Sequence, residues 1–176
     1  GNDSRGIDVG FLIKNTVTAS NVRQLGKTAT GPAGFTCSDI AGGLFDRPPL
    51  FADITTANGR TFTAVSNHFS SKSAPDACRE AQAAFVRDRV AEIEAVGGQV
   101  IVTGDLNAFE DEGALEVLQD GTTTLTNQWD KAPADERYSF QFNGRLQTLD
   151  HILITDGLEE LGTGCQYAHF DNDYFE

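Results

Sequence analysis

The sequence predicts a mixed α/β sandwich in preference to a doubly wound parallel sheet. Two observations carry the prediction. β-rich apolar runs dominate the first third of the chain, and from Pro75 onward such runs alternate with helical patterns. No internal repeat, low-complexity tract or linker interrupts the 176 residues, so a single domain over 1–176 with a sizeable core is expected. A hydrophobic content of 39% with 18 glycines suits a globular, loop-rich protein.

The elements follow in order. Asp8 to Lys14 reads as a buried strand, and Asn15 to Thr36, rich in Thr, Gly and Asn, as irregular. Leu50–Thr56 and Thr61–Asn67 read as strands joined through Asn58-Gly59, the strongest short-range hairpin signal. Pro75-Asp76 opens a helix to about Val96, with Ala83, Val86, Val90 and Ile93 on one stripe and Gly97-Gly98 as the stop. Gln99–Thr103 has the pattern of a fully buried strand. Asp111–Gln119 reads as a short helix, Tyr138–Phe142 as a strand candidate and Leu149–Thr155 as a clearer strand.

A net charge of −13 argues against a general nucleic-acid coat, which needs a basic face. It does not exclude an enzyme that grips a few phosphates locally, and carboxylates suit a metal site. No apolar run is long enough to span a bilayer, and the polar start Gly1-Asn2-Asp3-Ser4 is no signal peptide. The chain has no Met, so an upstream part is expected to be missing. Of three cysteines, Cys37 and Cys78 sit in polar, loop-like sequence, where a bridge suits a secreted protein; Cys165 is left unpaired or pairs outside the chain.

Three polar clusters lie at strand ends. In Gly104-Asp105-Leu106-Asn107, residues two apart in a strand point the same way, so a carboxylate able to hold a cation or water sits beside an amide able to hold a phosphate oxygen. A plain turn would use the same residue types. His68 follows a strand and is flanked by Asn67, Ser70, Ser71 and Lys72, donors for a phosphate; imidazole is the side chain best suited to give a proton near neutral pH. The bland alternatives are a hydrogen-bonded structural histidine and a solvated lysine. Asp150 lies in an apolar run and is expected to need a His or cation partner, or else an internal salt bridge or a backbone hydrogen bond. His151 points to the opposite face and reads as structural. Arg47, stiffened by Pro48-Pro49, can bind phosphate bidentately or form a surface salt bridge, and Arg5 is a similar candidate.

Taken in order, Arg5-Gly6-Ile7-Asp8-Val9, Phe45-Asp46-Arg47-Pro48-Pro49-Leu50, Asn67-His68-Phe69-Ser70-Ser71-Lys72, Gly104-Asp105-Leu106-Asn107-Ala108 and Thr148-Leu149-Asp150-His151-Ile152 resemble the endonuclease/exonuclease/phosphatase superfamily, whose best-known member is pancreatic deoxyribonuclease. The resemblance implies a four-layer α/β sandwich: two packed mixed β-sheets flanked by helices. It implies that His68 is the general acid, that Asp105 holds the nucleophilic water or a second metal with Asn107 as phosphate-contacting partner, and that Asp150 orients a second, more C-terminal histidine. Arg47 and Ser71 would contact phosphate. The implied cofactor is Mg²⁺, with Mn²⁺ or Ca²⁺ as alternatives.

Two family elements have no match: the metal-binding Glu of the first strands and the Ser-Asp-His triplet of the last. The sequence is therefore expected to lack its first and last strands and its main metal ligand. The stretch 171–176 resembles what shortly precedes the triplet. Flanking segments or a partner chain would complete the sheets, and this chain alone is expected to have little or no activity. Gly104 to Glu112 with Ser66 to Lys72 looks most like bacterial secreted or surface nucleases, so DNA is the expected substrate and the outside of a bacterial cell the expected location. A phospholipid or sugar-phosphate diester, for which Trp129 and Phe140 are the nearby exposed-aromatic candidates, is the alternative; an inactive fragment or binding module is another.

Overall fold

A computed structural model describes residues 1–160 and 164–169. The segment 171–176 singled out above lies outside them. Six strands, β1 (Thr18–Gln24), β2 (Leu50–Thr55), β3 (Thr61–His68), β4 (Val100–Asp105), β5 (Thr126–Asn127) and β8 (Asp150–Ile154), form one sheet in the order β1-β2-β3-β4-β8-β5. β3 and β4 are parallel, joined by the long helix α1 (Asp76–Glu94); the other neighbours are antiparallel. β6 (Phe140–Phe142) and β7 (Arg145–Gln147) make a separate hairpin, and α2 (Gly113–Leu118) and α3 (Asp156–Glu159) are short.

The helical stripe is what covers the sheet. Ala83, Val86 and Val90 of α1 are fully buried against Phe51, Val65, Val100, Val102 and Leu153 of the sheet, with Leu115 and Leu118 of α2 in the same cluster. Side chains alternate along a strand, so the next residues on each strand face away from α1. There Ala52, Ile54 and Ala64 are packed by the partly buried Phe11, Val17, Ala19 and Phe62. Toward β8 this second face is open: Ile152 is 42% exposed. Among the described residues there is one large mixed sheet plus a hairpin, in place of the two packed sheets expected.

Two local readings change. Asp8–Lys14 is not a strand. The free edge of β2 is taken by β1, and 8–14 runs as loop over the open face, with Gly10 accepting a hydrogen bond from Ser66 and Leu12 fully exposed. The polar segment read as irregular supplies β1 instead. It is an edge strand whose register shifts between Ser20 and Arg23, where Asn21 adopts a positive φ of 48°. The hairpin at Asn58-Gly59 and the stop of α1 at Gly97 (φ 81°) form as read, and so does the Cys37–Cys78 bridge, with Cα atoms 5.3 Å apart.

Candidate functional site

The β-ladders place three side chains in one row. His68 ends β3 opposite Asp105 of β4, and Asp105 in turn lies opposite Asp150 of β8. All three project from the open face at the carboxyl end of the parallel pair. His68 Nε2 is 3.5 Å from Asp105 Oδ2, each about a third exposed. Burial pushes the Asp105 carboxyl up to about 6; the Asp150 charge adds to this, while the Asn107 N–H and Arg47 work against it. Burial, then the positive charge of Arg47, hold His68 below its ordinary value, with Asp150 pulling the other way. Asp150 itself is exposed at the mouth of its strand rather than inside the apolar run, so it needs no buried partner.

Backbone geometry allows this row. Gly104 sits at φ 131°, and a Cβ there would meet the Asn67 carbonyl oxygen at 2.0 Å, so only glycine lets β3 and β4 close up beside this row of side chains. Past the strand, Asn107 adopts φ 48° and donates its N–H to Asp105 Oδ1 at 2.8 Å. Its Nδ2 donates to the Phe69 carbonyl at 3.1 Å, and among the described residues its Oδ1 has no hydrogen-bond partner.

Behind the row, Arg47 is buried and fully engaged. Its Nη2 donates to the Phe69 carbonyl (2.9 Å), Nε to the His68 carbonyl (3.3 Å) and Nη1 to Asp3 Oδ2 (2.9 Å). Asp3 also accepts from Arg5 Nε (3.1 Å) and Nη2 (2.7 Å), and these cations hold its carboxyl well below the usual carboxylate range. Arg47 therefore braces the backbone that carries His68. Arg5, the more exposed of the two arginines on Asp3, lines an open cleft of about 290 Å³ with Arg47, His68, Ser70 and Ser71. The larger cleft of about 580 Å³ lies at the other end of β3, around Thr61–Thr63 and Glu92–Gln99, away from this row.

The loop after His68 is held from α1. Gln82, fully buried, accepts from the Ser70 N–H (2.9 Å) and donates to Ser70 Oγ (2.9 Å) and the Leu44 carbonyl (2.8 Å). Arg79 donates to the Ser71 (2.8 Å) and Ala74 (3.2 Å) carbonyls and pairs with Asp76. Ser70 Oγ donates to the carbonyl of Cys37, whose disulfide anchors the same corner. The sequence reading missed Gln82, Arg79 and Asp3. The first two were detectable, because both fall on the apolar stripe of α1, where a polar side chain must have a partner.

The remaining candidates lie around the row. Ser71 is exposed and shares a hydrogen bond with Ser73 (2.7 Å). Lys72 pairs with Glu112 and lies over the Phe109 ring at 3.8 Å, so it links the loops after β3 and β4. Asn67 points to the helix side, opposite to His68, and its Nδ2 donates to the Val65 (3.3 Å) and Thr103 (3.2 Å) carbonyls. His151 also faces the helix side. Its Nε2 meets the Ala108 carbonyl (2.9 Å) and its Nδ1 the Asn127 amide (3.0 Å), a pattern satisfied by the neutral ring, which burial favours.

Comparison with known proteins now decides the family. The sequence profile described as the Endonuclease/Exonuclease/phosphatase family matches residues 2–169. The chain belongs to the endonuclease/exonuclease/phosphatase family. No curated protein sequence matches it. Among solved structures it is similar to the human Nocturnin catalytic domain (16% identity, TM-score 0.60, 82% of this chain and 50% of that one). It is also similar to truncated Caenorhabditis elegans TDP2 (18%, 0.57, 81% and 54%) and to an endonuclease/exonuclease/phosphatase from Bacteroides vulgatus (19%, 0.55, 81% and 56%). The chain spans about half the length of these structures.

Members of the endonuclease/exonuclease/phosphatase family typically use a divalent metal. Among the described residues no three His, Cys, Asp or Glu gather into a ready-made cage. The donors present nonetheless suit a hard cation: two carboxylates, Asp105 and Asp150, lie opposite each other on neighbouring strands, and Asn107, whose N–H meets Asp105 Oδ1, adds an amide oxygen. A cation there would offset the like-charge proximity that helps raise the Asp105 pKa.

Proposed function

We propose that this endonuclease/exonuclease/phosphatase chain carries the phosphate-cleaving row of a metal-dependent phosphodiesterase whose substrate is DNA. The observation that carries the reading is the ladder register His68–Asp105–Asp150 beside Asn107. A phosphate in the cleft would be met by His68 on the Arg5 side. Its negative charge would raise the lowered pKa of His68, readying the imidazolium to protonate the leaving oxygen. Asp105, once ionised, orients the water that attacks in line. Mg²⁺, held by Asp105 and Asn107, would supply charge stabilisation of the phosphate.

DNA is favoured over an enclosed small phosphate ester because the cleft is open at the sheet rim. The Cys37–Cys78 bridge supports export, and with it a nuclease working outside a bacterial cell. The test is nicking of supercoiled plasmid in Mg²⁺ against EDTA, by the protein with its flanking segments restored and by His68→Ala in that same background; no Mg²⁺-dependent nicking by the restored protein would refute the reading.

A further inference from the structure

The hairpin β6–β7 carries an exposed aromatic face. Phe140 and Phe142 are 40% and 56% exposed, with ring centroids 6.1 Å apart and planes only 16° from parallel. Cross-strand register sets Arg145 directly opposite Phe142 and Gln147 opposite Phe140, on the same face. Arg145 is exposed and has no ion pair or hydrogen bond among the described residues, whereas Arg5, Arg23, Arg47, Arg79, Arg87 and Arg89 all pair with carboxylates. The hairpin is tied to the reactive row at its root: Ser139 Oγ accepts from the N–H groups of Leu149 and Asp150, both at 3.1 Å.

We propose that this face is a stacking platform for a base of single-stranded nucleic acid next to the cleaved phosphate. The location relative to that phosphate rests on the phosphodiesterase reading above. Two near-parallel exposed rings offer π-faces that any base can use, and the uncommitted guanidinium beside them meets the adjoining phosphate. The platform also answers how a chain of net charge −13 can hold a polyanion, because stacking needs no basic surface. A lipid surface is disfavoured by the tip. It is the polar turn Asn143-Gly144, with φ of 49° and 72°, so the rings lie on a flank and not at the end that would enter a bilayer.

The test is fluorescence anisotropy in EDTA with a labelled oligothymidylate and an equally long abasic strand. The wild type should bind oligothymidylate several-fold tighter than the abasic strand. Phe142→Ala should lose roughly ten-fold for oligothymidylate and erase the preference, while Phe142→Trp keeps it. Arg145→Ala should weaken both strands alike and remove about 0.7 from the slope of log affinity against log salt, the value for one phosphate contact on a single strand. Equal binding of the two strands by the wild type, no effect of Phe142→Ala in protein whose circular dichroism is unchanged, or Phe142-dependent binding to phosphatidylcholine vesicles in place of the oligomer would each overturn the proposal. Plasmid nicking separates the two readings, since paired bases offer no free face. No nicking by the protein with its flanking segments restored, with a retained base preference, sinks the hydrolytic reading and supports the platform. Normal nicking without a base preference does the reverse.

Discussion

Asp105 and Asp150 stand directly opposite each other across the β4–β8 ladder, two like charges at the same level of the sheet, with His68 on the far side of Asp105. This juxtaposition helps to make Asp105 reluctant to ionise, and it makes the row sensitive to pH.

The first prediction concerns activity. If Asp105 must be ionised to orient water, nicking should rise with pH through about 6 at limiting Mg²⁺, and the acid limb should move to lower pH as Mg²⁺ is raised, because a bound cation favours the carboxylate. Replacing Asp150 by Asn removes one cause of the raised pKa, so the acid limb of the profile should move to lower pH. An unmoved limb would detach Asp105 from the rate.

The second concerns stability. The folded protein holds the Asp105 proton up to about 6, against an ordinary value of 3.8. Its contribution is therefore full below about pH 4 and is lost as pH rises through 6. Relative to wild type, Asp105→Asn should be least favourable at pH 4 and gain steadily toward pH 7, read as the difference in urea midpoints.

The third separates chemistry from folding. His68→Ala should lower nicking by about 10²- to 10⁴-fold, the usual worth of a positioned acid or base. Its melting temperature should stay close to that of the wild type. A comparable loss of melting temperature would mean that His68 is structural.

The fourth tests the close approach of β3 and β4. Gly104→Ala places a methyl group on the Asn67 carbonyl and holds alanine at φ 131°. Strain of this kind costs roughly 1–3 kcal/mol before the clash is counted. Thermal unfolding should shift down by several degrees, with nicking lost in the same variant.

The fifth concerns the bridge. Cys37 and Cys78 are 41 residues apart, and closing a loop of that length is worth about 4 kcal/mol in the chain-entropy account. Cys37→Ser with Cys78→Ser, or reduction by dithiothreitol, should lower the urea midpoint accordingly and loosen the Ser70 corner, raising KM more than it lowers kcat.

Much of the fold was legible because it is local. Asn58-Gly59 sets one hairpin, the Ala83–Val86–Val90 stripe sets α1, and the apolar run ending at Thr103 sets β4. The segments that misled are those where partners override pattern. Phe11-Leu12-Ile13 has the composition of a strand, but the edge of β2 is taken by β1, a polar edge strand bent at Asn21. Within the site, the Asp105 and Asn107 pair could be read from strand alternation. The row itself could not, since it unites positions 68, 105 and 150 through sheet register. Nor could the commitment of Arg47, whose counter-charge lies 44 residues earlier.

That counter-charge has a practical side. Asp3 is sealed beneath Arg5 and Arg47, so any cleavage or redesign that removes it strands a guanidinium inside the protein. The leading residues thus act as a keystone for the backbone of His68, and a recombinant version trimmed at Ser4 would show damage far from its cut end.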